Sequence, residues 1–216
     1  MTRTERYTRD RDLCDFVALA RGRDRVLVRR GYEDRIDEVG WWGGERREIG
    51  RSSGGRAAHP VVQLSSGEKL LVRRFRRGGA VRHVIRETYL AGNRALEELR
   101  VTELAARRGV SVACVIAALE RPRTLLGYTA EIAFRWIDGA IELVRWLETT
   151  DPEERDAALL ETGWQIGRMH EAGISHPDLN LRNVIVAPPA IDSGPRRIYL
   201  LDFDRASVGP QPVARR

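Results

Sequence analysis

The chain has 216 residues, enough to bury a sizeable core as one domain or two joined lobes, and its 42% hydrophobic content is globular in kind. Its 37 Lys and Arg against 31 Asp and Glu give a formal net charge of +6, which suits nucleotide phosphates, nucleic acid or an anionic membrane surface without choosing among them. Composition argues against wholesale disorder, and two distant cysteines, Cys14 and Cys114, make neither a disulfide framework nor a metal cluster.

A reduced, cytosolic setting is the simplest expectation for such cysteines. The segment Met1 to Asp12 lacks the apolar core of a signal peptide, and the longest nearly apolar run, Val110 to Leu119, is too short to span a bilayer. A soluble or peripheral protein is therefore expected. Lys69 is the only lysine, and no specific function follows from that bias.

Residues 1–24 are highly charged and are expected to be loosely ordered at their start. Arg25 to Arg29 is a short strand, Gly31 to Glu38 an acidic turn, and the pair Trp41-Trp42 is expected to be buried packing. Gly50 to Arg56 suggests a flexible, Gly-rich entry to a hairpin of His59–Leu64 and Lys69–Phe75, turned by Ser65-Ser66-Gly67. Helical spacing of apolar residues recurs over Ala80–Leu90 and Arg94–Arg107, the latter stopped by Gly109. Val110–Leu119 and Tyr128–Ile137 are expected to be antiparallel strands.

Beyond Asp138-Gly139 the pattern turns helical. Leu143–Leu147 is a short piece, and Asp151-Pro152-Glu153-Glu154 is a good helix start, with Pro and acids in the first turn. That helix is expected to reach His170 or Glu171 with Leu160, Trp164, Gly167 and Met169 on or near its buried side. A loop at 176–183, a strand at Val184–Ala187 and a strand at Arg197–Leu201 complete the chain. The organisation expected is α+β and bilobal: a β-rich N-lobe over 1–137, with a charged extension over about 1–24, and a mainly helical, shortened C-lobe over 138–216.

The chemistry concentrates in His176-Pro177-Asp178-Leu179-Asn180-Leu181-Arg182-Asn183 and Leu201-Asp202-Phe203-Asp204. An Asp and an Asn five positions apart on a loop, with a second Asp after a later strand, is the arrangement of protein-kinase-type phosphotransferases. Asp178 is the candidate catalytic base for an acceptor hydroxyl, while Asn183 and Asp202 supply the oxygen ligands that suit magnesium. Asn180 stands where protein-serine kinases carry Lys, and Asp204 replaces the glycine of the usual Asp-Phe-Gly. Both departures point away from protein substrates and toward a small molecule or sugar. On the nucleotide side the candidates are Gly54 and Gly55, whose lack of a side chain permits close phosphate approach, and Arg73 with Glu98 as its helical partner. Glu97 and Glu103 compete with Glu98 for that place.

These residues, with Leu71 to Gly79, Tyr89-Leu90, Glu98-Leu99-Arg100, Arg108 to Val112 and the Asp202 to Ala206 ending, resemble the Kdo kinase branch of the lipopolysaccharide kinase family over roughly 50–206. The resemblance implies a compact protein-kinase-like fold, ATP and magnesium, and phosphorylation of a 3-deoxy-D-manno-octulosonic acid (Kdo) residue on a lipid A precursor. The cytoplasmic face of the inner membrane would be its place, with Arg74, Arg76, Arg77, Arg82 and Arg86 as a basic patch toward an anionic glycolipid and bilayer. No nucleic-acid partner is expected, since four Phe and five Tyr do not interleave with the arginines as a stacking surface. It also implies a further basic tail, of which Gln211 to Arg216 looks like a beginning cut short. Two alternatives stay open: another sugar or small-molecule kinase of the same fold, and a catalytically inactive kinase-like binding module.

Overall fold

The computed structural model describes residues 13–52, 58–75, 94–124, 127–189 and 196–210. They divide into two units, one within 1–53, 57–100 and 115–136, the other within 101–114 and 137–216. The α+β class holds: one unit is a large antiparallel sheet with a helical segment, the other is helices with short strand pairs.

The sheet of the first unit contains β1 (Phe16–Arg21), β2 (Asp24–Arg29), β3 (Glu48–Arg51), β4 (Pro60–Gln63), β5 (Lys69–Arg74), β6 (Val115–Thr124) and β7 (Gly127–Arg135). Its order is β1-β2-β6-β7-β5-β4-β3, antiparallel throughout. Alternation along β5 buries Leu70 and Val72 and turns Lys69, Leu71 and Arg73 outward in part, the period-2 signature of a strand with one face on a core. A core cluster of this unit that includes neither Leu70 nor Val72 joins Phe16, Leu27, Phe75, Leu96, Leu99, Val115 and Ile132.

Helix α1 (Arg94–Arg107) places Leu96 and Leu99 in this core and Val101 and Ala105 in that of the second unit. Residues 101–114 group with the second unit for the same reason. Val110 and Val112 are buried there, and Val112 bridges Leu200 in parallel. The single strand expected over Val110–Leu119 is therefore shorter at its start. The apolar run is shared between two cores, and only Val115 onward joins the sheet.

Other expectations are adjusted nearby. The start of the charged N-terminal extension lies outside the described residues, and its later part forms β1, where Phe16 is buried while Ala20 and Arg21 are exposed. The acidic turn is a 3-10 helix, Glu33–Val39, burying Ile36 and Val39. Strand β3 takes Gly50 and Arg51 from the expected flexible entry. Trp41 is buried and Trp42 half-buried, their indole N–H groups donating to Glu131 and Asp24 at 3.2 and 3.0 Å. The helix expected over Ala80–Leu90 lies outside the described residues.

The second unit holds β8 (Ile141–Glu142), α2 (Leu143–Thr149), α3 (Pro152–Glu171), β9 (Ile174–Ser175), β10 (Val184–Ala187), β11 (Arg197–Leu200) and β12 (Ser207–Val208). Strands β11, β10 and β8 pair in that order, and β12 pairs with β9, all antiparallel. Helix α3 starts as its sequence dictates, with the Asp151 side chain accepting from the Glu154 N–H at 3.0 Å and Pro152 at the first position. Its buried stripe, however, is Ala158, Thr162, Gln165 and Met169. Leu160 and Trp164 are exposed at 67% and 61%, and Gly167 is exposed as well, which corrects the expected face. The polar Thr162 and Gln165 are buried because each has a partner: the Thr162 hydroxyl donates to the Ala158 carbonyl at 2.7 Å, and Gln165 Oε1 accepts from Ser111 N–H at 2.8 Å. Periodicity that counts only apolar residues misses such a stripe.

Gly173 closes α3 at φ 70°, and a Cβ there would lie 2.8 Å from the Gly209 carbonyl oxygen and 3.0 Å from that of Pro210. The close approach lets β12 return beside β9, where Gly209 N–H donates to the Gly173 carbonyl at 2.8 Å. Gly173→Ala is expected to cost about 1–3 kcal/mol by combining a left-handed backbone with a clash against main chain. Urea unfolding of the variant checks this.

Candidate active site

Residues 176–183 leave β9 and return to β10 as a loop tied down at both ends. His176 is buried, and its Nε2 donates to the Leu201 carbonyl at 3.0 Å while the ring meets Phe203 edge-on, centroids 5.1 Å apart. Within the loop, the Asp178 carbonyl accepts from Asn180 Nδ2 at 2.8 Å and from Asn183 Nδ2 at 3.0 Å. A carbonyl only accepts, so the amide nitrogen of Asn183 must face it and the side-chain oxygen is left available for another group. Asn180 also accepts from the Arg182 N–H at 3.0 Å, which makes it a turn-forming residue of the loop.

The second motif reaches the loop through strand register. Strands β10 and β11 pair with Val184 opposite Leu200, and Leu201 N–H donates to the Asn183 carbonyl at 2.8 Å, extending the ladder by one position. Asn183 and Leu201 thus stand opposite each other, and Asp202 follows at the same hairpin end. Asp202 has φ 65° and ψ 56°, the one positive φ at a non-glycine among the described residues. Asp tolerates this region better than most side chains, at a cost of about 1–2 kcal/mol. The turn drops Phe203 into the core at 1% exposure and starts the 3-10 segment Phe203–Arg205. Arg205 then lies with Nη1 3.4 Å from Asp178 Oδ2, both side chains more than half exposed. Such an exposed pair contributes about 0–1 kcal/mol.

Among the described residues no group of three or more His, Cys, Asp and Glu forms a metal cluster. Magnesium asks for less: one or two protein oxygens, with phosphates and water completing an octahedron. The amide oxygen of Asn183 and the Asp202 carboxylate, hard donors at one hairpin end, fit that requirement.

In the first unit Arg73 and Glu98 form an ion pair through Nη2 and Oε2. The Glu98 side chain is fully buried and that of Arg73 is 18% exposed, so Glu98, and not Glu97 or Glu103, partners Arg73. Glu97 and Glu103 pair instead with Arg100 and Arg107 on their own helix. The Arg73 guanidinium also stacks 4.9 Å from the Phe75 ring and 6.0 Å from that of Phe134, contacts a lysine ammonium would make less well. Arg74, expected in a lipid-facing patch, is drawn to Glu131 at 3.1 Å. Gly54, Gly55, Arg76, Arg77, Arg82 and Arg86 lie outside the described residues.

Sequence reasoning singled out Asp178, Asn183 and Asp202 but gave no role to His176, Phe203 or Arg205. The signal for the first two was present as a His before the loop and a Phe after Asp202. For Arg205 it was the Asp-Arg pair of Asp204-Arg205.

An exposed carboxylate on a loop beside paired oxygen donors at a hairpin end is suited to phosphoryl transfer. The family is settled by comparison: the model of the Lipopolysaccharide kinase (Kdo/WaaP) family matches residues 39–213, and the chain belongs to that family. It is 30% identical over 177 residues to a 3-deoxy-D-manno-octulosonic acid kinase of Xylella fastidiosa (strain M12), covering 78% of this chain and 64% of that protein. The counterpart of Xanthomonas campestris pv. campestris (strain B100) is 32% identical over 168 residues, 76% of this chain and 62% of that one. That of Vibrio parahaemolyticus serotype O3:K6 is 28% identical over 174 residues, with 79% and 68% covered. The chain thus spans somewhat less than two thirds of the length of the Xylella and Xanthomonas relatives. The solved structure of WaaP in complex with acyl carrier protein is similar at a TM-score of 0.47 and 18% identity, over 75% of this chain and 64% of that one.

Glu98→Ala is expected to destabilise the protein by about 3–5 kcal/mol, because it strands the Arg73 cation in a largely buried site. The double variant Arg73→Met with Glu98→Leu is expected to recover most of that loss. Chemical denaturation of the three variants measures both effects.

Proposed function

We propose that this protein transfers the γ-phosphoryl group of ATP to a hydroxyl of a Kdo sugar on a lipid A precursor. The observation that carries the reading is the placement of Asn183, opposite Leu201, and of Asp202, which follows it, at one hairpin end, with Asp178 on the loop that Asn183 itself ties down. Membership of the Kdo/WaaP family supports the acceptor class.

In this reading Asp178 accepts the proton of the acceptor hydroxyl as its oxygen bonds to the γ-phosphorus. The bond from that phosphorus to the β–γ bridging oxygen breaks, and ADP leaves. Asn183 and Asp202 hold magnesium, which when bound neutralises phosphate charge. Arg73, held by Glu98, is the candidate cation for the nucleotide phosphates, and Gly54 and Gly55 are the candidate glycines for the same role. The N-lobe of this reading is 1–137 and the C-lobe 138–216, with residues 101–114 of the former grouping with the second unit.

The acceptor places the protein at the cytoplasmic face of an inner membrane as a peripheral protein. No helix among the described residues is long and apolar enough to cross a membrane, and the net charge of +6 suits an anionic glycolipid surface.

The test is magnesium-dependent turnover of ATP with a Kdo-bearing lipid A precursor, set against other sugars, aminoglycosides and protein. Transfer to the Kdo acceptor is the expected result, and no transfer to any acceptor would leave a binding module instead. Asp178→Asn is expected to lower kcat by about 10²–10⁴-fold while leaving nucleotide affinity within a few-fold. Retained turnover removes Asp178 from the role of base.

A further inference from the structure

Arg205 is held beside the proposed base from both sides. Upstream, the left-handed Asp202 and the buried Phe203 fix where the 3-10 segment begins, and Ala206 N–H closes it on the Phe203 carbonyl at 3.0 Å. Downstream, Ser207 and Val208 pair with Ser175 and Ile174, the two residues that lead into the loop carrying Asp178. The guanidinium is therefore delivered to Asp178 by backbone pairing. Its own contact to Asp178, at 3.4 Å between exposed groups, is too loose to account for its place.

Arg205 has no hydrogen-bond or ion-pair partner other than Asp178 among the described residues. One Nη1 arm faces Asp178, and a guanidinium has five N–H donors in a fixed fork, so most of its donors remain for a second group. The position matters electrostatically. An acceptor that is itself a carboxylate must bring a negative charge up to a carboxylate base and to nucleotide phosphates, and like charges at contact distance repel. A neutral sugar meets no such obstacle. A permanently charged fork next to the base removes it, because one guanidinium can bridge the base and an acceptor carboxylate together.

We infer that Arg205 is the specificity residue that binds the carboxylate of an acidic sugar and registers its hydroxyl on Asp178. This rests on the kinase reading above and deepens it by assigning a residue to the acid group of the acceptor. The Asp178–Arg205 pair, weak in the free protein, is the half-filled form of that bridge. Arg205 acts on binding, and Asp178 on the proton.

The test compares two acceptors, a Kdo-bearing lipid A precursor and the same molecule with the sugar carboxyl converted to a primary amide. Arg205→Gln should raise KM for the acid acceptor about 10- to 100-fold, the effect of losing a charge-assisted hydrogen-bond pair, with kcat nearly unchanged. KM for the amide and for ATP should stay as in the wild type, and Arg205→Lys should restore part of the loss on the acid alone. Equal loss on both acceptors, or a fall in kcat at unchanged KM, overturns the assignment and leaves the kinase reading standing. A wild-type protein that phosphorylates neither acceptor overturns the kinase reading and the assignment with it.

Discussion

The pairing of β10 with β11 is the constraint on which the rest of the second unit's site depends. With Val184 opposite Leu200 and Leu201 bonded to Asn183, Asn183 and Asp202, nineteen positions apart, are brought to one end of a hairpin. A register slip of one residue would turn every side chain of a strand to the opposite face, and the buried Val184, Val186, Ile198 and Leu200 forbid it. His176 adds a cross-link from the loop to the carbonyl of Leu201, so loop and hairpin share one backbone frame. The strained Asp202 is held by that frame, with Phe203 buried just beyond it.

The first unit carries a different kind of constraint. A fully buried Glu98 carboxylate needs a cation, and β5 delivers Arg73 on the face opposite its buried Leu70 and Val72. Buried ion pairs are weak sources of stability when compared with apolar packing, but they are costly to break. Orientation is what the pair provides. The two phenyl rings stacked on the guanidinium confine it further, so a flexible cationic side chain becomes a fixed one.

Much of this was legible in the sequence, and for identifiable reasons. The loop and hairpin motifs are local: their spacing is set by the chain itself, and short β-branched runs such as Val184–Val186 mark the strands. Helix α3 announced its start through Asp151 and Pro152, but its buried face was misread because Thr162 and Gln165 are inside and Leu160 and Trp164 outside. Thr162 bonds back to the Ala158 carbonyl one turn away, and the burial of Gln165 depends on a partner distant in sequence, the Ser111 N–H. The apolar run from Val110 was read as one strand, since sequence does not show that two cores divide it. Glu98 was the preferred partner at the sequence level, with Glu97 and Glu103 as competitors because all three lie on one helix. Only the packing around Arg73 decides it. Arg205 was hidden by the same limit, since its approach to Asp178 is a product of the β9–β12 pairing.

The central claim is that Asn183 and Asp202 form a single magnesium site at the hairpin end. The most direct measurement is calorimetric titration of a non-hydrolysable ATP analogue, with magnesium and with EDTA, into the wild-type protein and into Asn183→Ala and Asp202→Asn. Magnesium should tighten binding to the wild type, and that gain should vanish in each variant while the metal-free affinity is kept. The same magnesium-dependent gain in both variants would contradict the account.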